Sequence, residues 1–172
     1  MLNTINNISN NKQQQRGAAA VEFALIAILL FTVLFGIIEF GRLFYLYNTV
    51  QEVTRHAARE AVVRSVDNSS TSPAKVIALF GETSLPAGAE ITANNIDIQY
   101  LTANGAVPNP FPASASDNIS ACLTGPTGCI ALVRVSIINA SYVPMVGLFP
   151  FLAMRIPAST VTMPAESLGY AG

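Results

Sequence analysis

The sequence predicts an α+β fold: a single amino-terminal transmembrane helix, extended into a long stalk helix, packed on a small antiparallel sheet. Three observations carry this reading. An unbroken apolar run spans Ala18 to Ile38, an apolar stripe at helical spacing follows it, and the second half holds short segments of alternating apolar and polar residues. A helix followed by strands, each with one apolar face, buries both faces by laying the helix across the sheet. Apolar residues make up 51% of the chain and charged ones 11%, well below the charge content of ordinary soluble domains, which suits a membrane anchor.

The chain divides into a leader (1–17), a transmembrane helix (18–38), its extracytoplasmic continuation (39–66) and a small α+β head (67–172). Residues 1–15 are polar, rich in Asn and Gln and without periodicity, and read as a disordered leader. From Ala18 to Ile38 a helix rises roughly 31 Å, against a hydrocarbon core of about 30 Å. The run is too long for the apolar core of a signal peptide, about 7–15 residues, and no convincing small-residue cleavage site follows it. Lys12 and Arg16 precede the run, and the first basic residue after it, Arg42, is paired in sequence with Glu39. The positive-inside rule therefore puts the amino terminus in the cytoplasm. Ala20, Ala24 and Ala27 form one face of small side chains, either for close helix packing in lipid or simply because alanine favours helix.

Leu46, Val50, Val53, Ala57 and Ala61 continue the helix as a stripe beyond the membrane. Glu52 with Arg55, and Glu60 with Arg64, are spaced for helical ion pairs. His56, flanked by Glu52 and Glu60, has the spacing of a metal site, but the arginines beside it favour a solvated stalk face, so no metal is expected. Asp67 to Pro73 ends the helix. Ser72-Pro73 then opens a short helix through about Phe80, with Val76, Ile77 and Phe80 as its packing side. Gly81 to Ala93 reads as loop. Strands are expected over Asn95–Thr102, Cys129–Ile138 and, more weakly and at an edge, Ala158–Met163; residues 103–121 read as a surface loop.

Cys122 and Cys129 bracket Leu-Thr-Gly-Pro-Thr-Gly, a turn-rich stretch able to join them as a disulfide in an oxidising compartment; two free thiols are the alternative. Val143 to Met154 is apolar, yet its two internal prolines exclude a second membrane helix. It reads as a loop folded over the head's core, or as an adhesive surface for a partner subunit or membrane headgroups, with Phe149 and Phe151 as the interface.

One carboxylate, Glu22, lies near the start of the apolar run. An ionisable group costs roughly 2.5–3.5 kcal/mol at the centre of a span, and near its edge less. A basic leader ending in Gly17, small residues, Glu22 and then an unbroken apolar helix resemble the processing site of type IV prepilins and pseudopilins. The resemblance implies that a prepilin peptidase cuts after Gly17 on the cytoplasmic side. Ala18 becomes the new amino terminus, its amine paired with Glu22 of its own or a neighbouring chain. Loss of Lys12 and Arg16 takes nine basic side chains to seven against ten acidic, a mature side-chain charge of −3.

Further along, Ala-Ala-Val-Glu-Phe-Ala-Leu, Gly-Ile-Ile-Glu-Phe-Gly-Arg-Leu-Phe and Gln-Glu-Val-Thr-Arg-His-Ala-Ala-Arg-Glu-Ala-Val are similar to the TadE family. Its members, like the sibling TadF proteins of the same plan, are pseudopilin-like parts of the tight-adherence (Tad, or Flp) pilus secretion system. The similarity covers about Arg16 to Val66 and implies a pilin-like architecture, an inner-membrane location with a periplasmic or extracellular head, and other pilin and pseudopilin subunits and the Tad machinery as partners, besides membrane lipid.

The chain has no nucleophile elbow, P-loop or dinucleotide fingerprint, and a net charge of −1 gives no reason to expect nucleic acid. The expectation is a structural protein without catalytic residues or cofactors. The rival reading is a tethered periplasmic binding module or enzyme whose helix only anchors it. A main pilus subunit fits less well, because the major subunits of that system are much shorter.

Overall fold

The structure, a computed structural model, describes the backbone of residues 2–169 and, Ala89 apart, the side chains of residues 17–169. The first helix, α1, is Leu2–Val63. In backbone it takes in residues 2–16, where the sequence predicted a disordered leader. That stretch holds no glycine or proline, and extending a formed helix is far easier than starting one. The side chains of Lys12 and Arg16 lie outside the described residues.

After α1 come α2 (Pro73–Ala78), the strands β1 (Ser84–Leu85), β2 (Gly88–Thr92) and β3 (Ile96–Leu101), then α3 (Ala115–Thr124) and β4 (Leu132–Ile137). The chain closes with β5 (Ser141–Tyr142), β6 (Met154–Arg155) and β7 (Thr160–Pro164). The main sheet has the order β3-β4-β7 and is antiparallel throughout. Ile96, Ile98 and Tyr100 stand opposite Ile137, Val135 and Val133, and all six are buried. These are the alternating positions the sequence marked. β7 lies at an edge beside β4, with Val161 and Met163 half-buried. Two further hairpins, β1-β2 and β5-β6, stand beside this sheet.

α1 lies against all three strands of the main sheet. The expected stripe of Leu46, Val50, Val53, Ala57 and Ala61 is buried, joined by Ala58 and Val62. Thr54 is fully buried as well, because its hydroxyl donates to the Val50 carbonyl 2.8 Å away in its own helix. The helix ends at Val63, three residues before the expected Val66. Its last carbonyls are met by the chain's tail: Glu166 and Leu168 donate backbone N–H to Val62 O, and Gly169 N–H to Val63 O at 3.0 Å. Orphan acceptors at a helix end need such partners. Gly169 adopts φ +82°, and a Cβ there would sit 2.7 Å from the Ser65 nitrogen, so glycine is required at this close approach.

Four local expectations fail. Gly81 to Ala93, read as loop, holds the hairpin β1-β2; strands this short show no alternation long enough to detect. The 103–121 loop gives way to α3 from Ala115, capped by Ser114, whose hydroxyl accepts from Asp117 N–H at 3.1 Å. Only Asn118 of α3 is buried; its larger apolar side chains, Ile119 and Leu123, stay exposed. In α2 the buried residues are Ala74, Lys75 and Ala78, not Val76, Ile77 and Phe80. Helices approach closely through small side chains, which turns the larger ones outward. Glu52 approaches His56, at 3.8 Å, rather than Arg55, while Glu60 and Arg64 pair at 2.6 Å as expected.

Cys122 and Cys129 form the disulfide. It works beside Asn118, whose side chain accepts from Ile130 N–H at 2.7 Å and donates to Ile130 O at 3.2 Å. Closing so short a loop contributes about 2.5 kcal/mol in the chain-entropy model. Cys122→Ser with Cys129→Ser is expected to lower unfolding stability by about that amount. A thiol label is expected to react with the parent only after reduction, and labelling before reduction would contradict the bond.

Candidate functional site at the helix–head junction

The exposed part of α1 decides what kind of protein this is. The most apolar eighteen-residue window of the helix has a mean hydropathy of 2.7 and none of it is buried. Val21, Phe23, Leu25, Ile26, Ile28 and Leu29 are all more than half exposed. The buried core helix of a soluble protein would hide such a surface. The length and hydropathy of α1 suit a membrane anchor.

Extending the spacing of the buried stripe backward from Leu46 gives Leu43, Glu39 and Gly36. The head covers this part too. Glu39 is 1% exposed, at the end of the apolar run. Its carboxylate accepts from the Tyr142 hydroxyl and from Met145 N–H at 3.0 Å. Arg42 Nη1 lies 3.8 Å from it. The guanidinium of Arg42 then ties three other parts of the head. It donates to Ala87 O at 3.0 Å, to Val143 O at 2.8 Å, and through Nη2 to both oxygens of Glu90 at 2.8 and 3.0 Å. It also lies 5.0 Å from the centre of the Tyr142 ring, within cation–π range.

Burial, and then the hydrogen bond to Glu39 and its charge, push the Tyr142 phenol up to about 12, against an opposing pull from Arg42. It is therefore a neutral donor at any ordinary pH. No buried side-chain polar atom among the described residues lacks a partner. Two carboxylates, one guanidinium and one phenol thus meet in one hydrogen-bonded cluster. That arrangement fixes the head's hairpins on the helix at the end of the apolar run.

The structure places the sequence-marked residues as follows. Gly17, Ala18 and Glu22 are exposed on α1, and a Cβ at Gly17 would meet nothing within 4 Å. Ala20 and Ala24 are exposed and Ala27 half-exposed, so the head leaves that face open. Phe149 and Phe151, proposed together as an interface, are separated in role: Phe149 is 8% exposed against α1, while Phe151 is 71% exposed. The apolar segment thus both folds onto the core and presents a surface. His56 and Glu60 are not brought into one cluster, and among the described residues no three His, Cys, Asp or Glu side chains converge.

Sequence reasoning missed the junction. Glu39 and Arg42 were noticed only as a sequence pair, and Glu90 and Tyr142 carried no local signal. Continuing the stripe two turns toward the membrane would have found Glu39 on the buried side.

The long apolar helix, its stalk and the small antiparallel head together define an α+β protein with a single membrane-type helix. Residues 17–59, 43 of the 172 in the chain, match the family model described as TadE-like protein, so this amino-terminal segment is similar to that family. No curated protein and no solved structure gives a significant match. The matched stretch begins at Gly17, takes in the exposed apolar run and ends within the buried stripe.

Proposed function

We propose that the protein is a pseudopilin-like assembly component of a Tad (Flp) pilus secretion system. It sits in the inner membrane with its amino terminus in the cytoplasm and its head outside, and is processed after Gly17 by a prepilin peptidase. The observation that supports this best is the TadE-like match, which contains Gly17, Ala18, Glu22 and the whole exposed span.

Cleavage makes an amine on Ala18 at an apolar boundary, where an ion needs a counter-charge more than in water. Glu22 is one helical turn away, exposed toward neighbours, and has no side-chain partner among the described residues. A neighbouring subunit's amine can meet it there. The open face of Ala20, Ala24 and Ala27 lets helices approach closely. The TadE or TadF sibling that performs this role would pack laterally with other pilin and pseudopilin subunits of the Tad machinery.

Intact-mass measurement of protein from cells with and without the peptidase tests the processing. The expected mature form starts at Ala18. An uncut bond between residues 17 and 18 in the presence of the peptidase would rule the reading out. Glu22→Gln is expected to be cut and membrane-bound but to lose most fibre formation; a variant that assembles like the parent would show that the carboxylate has no part in packing.

A further inference from the structure

We infer that the tip of the β5-β6 hairpin, Val143 to Ala153, is a second membrane contact, inserted into the headgroup layer beside the transmembrane helix. The inference rests on α1 crossing the bilayer, and adds a lipid-binding surface on the head itself.

The path of the tip along α1 carries the argument. Its first contact is Val143 O with Arg42, its next Met145 N–H with Glu39, and then Phe149, which would lie 3.5 Å from a Cβ placed on Gly36. Each step moves three residues along the helix toward the span, roughly 9 Å in all at about 1.5 Å per residue. The strands return at Met154, paired with Tyr142. The hairpin therefore reaches down the helix, and its lowest point lies level with the last turn of the apolar run.

What it presents there is apolar. Met145 is 77% exposed, Leu148 60% and Phe151 71%. Phe151 sits edge-on to Phe149 with ring centres 6.1 Å apart, so a buried ring that touches the helix positions an exposed one beside it. No charged residue occurs from Val143 to Met154. The first charge after the tip is the exposed Arg155, on the side from which a guanidinium can meet lipid phosphate. Exposed apolar clusters of this kind mark interaction sites. Phe149 packs on Gly36 inside the apolar run, so whatever solvent surrounds that turn of the helix also meets the tip. Aromatic and flanking basic residues at that depth are the usual anchors of the interface.

The chain contains no tryptophan, which permits a direct test. Full-length protein carrying Phe151→Trp is reconstituted into phosphatidylethanolamine–phosphatidylglycerol vesicles containing lipids brominated at shallow or deep acyl positions. The expected result is blue-shifted emission, quenched most by the shallow bromines, with Leu148→Trp behaving alike. Phe111→Trp, exposed on the head near the far end of α1, is expected to stay unquenched, and Phe31→Trp in the span to be quenched by the deep bromines. A quenched Trp at 31 with an unquenched one at both 148 and 151 would overturn the tip contact while leaving the anchor intact. An unquenched Trp at 31 would overturn both. Shielding of position 151 that needs high protein-to-lipid ratio, without bromine quenching, would identify a partner subunit instead and also overturn the proposal.

Discussion

Replacing Arg42 with methionine is expected to destabilise the docked head by about 3–5 kcal/mol, the usual consequence of removing one partner from a buried ionic group. The reason is specific to the position. Glu39 is sealed from water, and Glu90 is held by both of its oxygens on the same guanidinium. Without Arg42 two carboxylates remain near each other with no cation, and the carbonyls of Ala87 and Val143 lose their donor. Methionine keeps most of the side chain's apolar stem, so packing alone does not account for the effect. Lysine is expected to recover only part of it, because one ammonium cannot reproduce the planar two-point contact with Glu90. Denaturant unfolding of the full chain in detergent, followed by the near-ultraviolet signal of its tyrosines, measures this. A loss below about 1 kcal/mol would mean that the apolar stripe, not the ionic network, holds the junction together.

The second large effect lies one turn further along. Leu46 is fully buried, and one of its methyl groups occupies the place where a side chain on Gly88 would begin. Leu46→Ala is expected to cost about 2–5 kcal/mol through lost burial and the cavity left behind. Gly88→Ala is expected to cost about 1–3 kcal/mol by overpacking. Because the methyl introduced at position 88 points into the void made by Leu46→Ala, the double variant is expected to be more stable than the two losses added, by roughly 1 kcal/mol or more. The same denaturant titration applied to all four proteins reads the coupling. Simple additivity would show that the β1-β2 hairpin does not rest on Leu46.

Much of this was legible locally. The stripe from Leu46 to Ala61 needs only helical period, and the paired alternations of β3 and β4 only period two, because each element hides one face from water. The edge position of β7 followed from a weak alternation after Pro157. What escaped was structure not held by a buried apolar face that the sequence displays. α3 leaves Ile119 and Leu123 exposed and is fixed by one capping hydroxyl, one buried asparagine and a disulfide. The β1-β2 hairpin is too short to show a pattern, and in α2 the buried side is made largely of alanines, which look like nothing in particular in a sequence.

By itself, the sequence determined that a membrane-length apolar run begins near Ala18, continues as an amphipathic stalk helix and precedes a small antiparallel sheet. These are properties of hydropathy and spacing, which neighbours in the chain settle between themselves. Only the tertiary structure decided that Glu39 is buried rather than solvated, that Arg42 joins Ala87, Glu90 and Val143 to it, and that Phe149 turns inward while Phe151 turns out. Those outcomes depend on groups 45 to 106 residues apart in the chain meeting at one turn of helix, and no local pattern encodes the energy of bringing charges from distant segments into the same dry place.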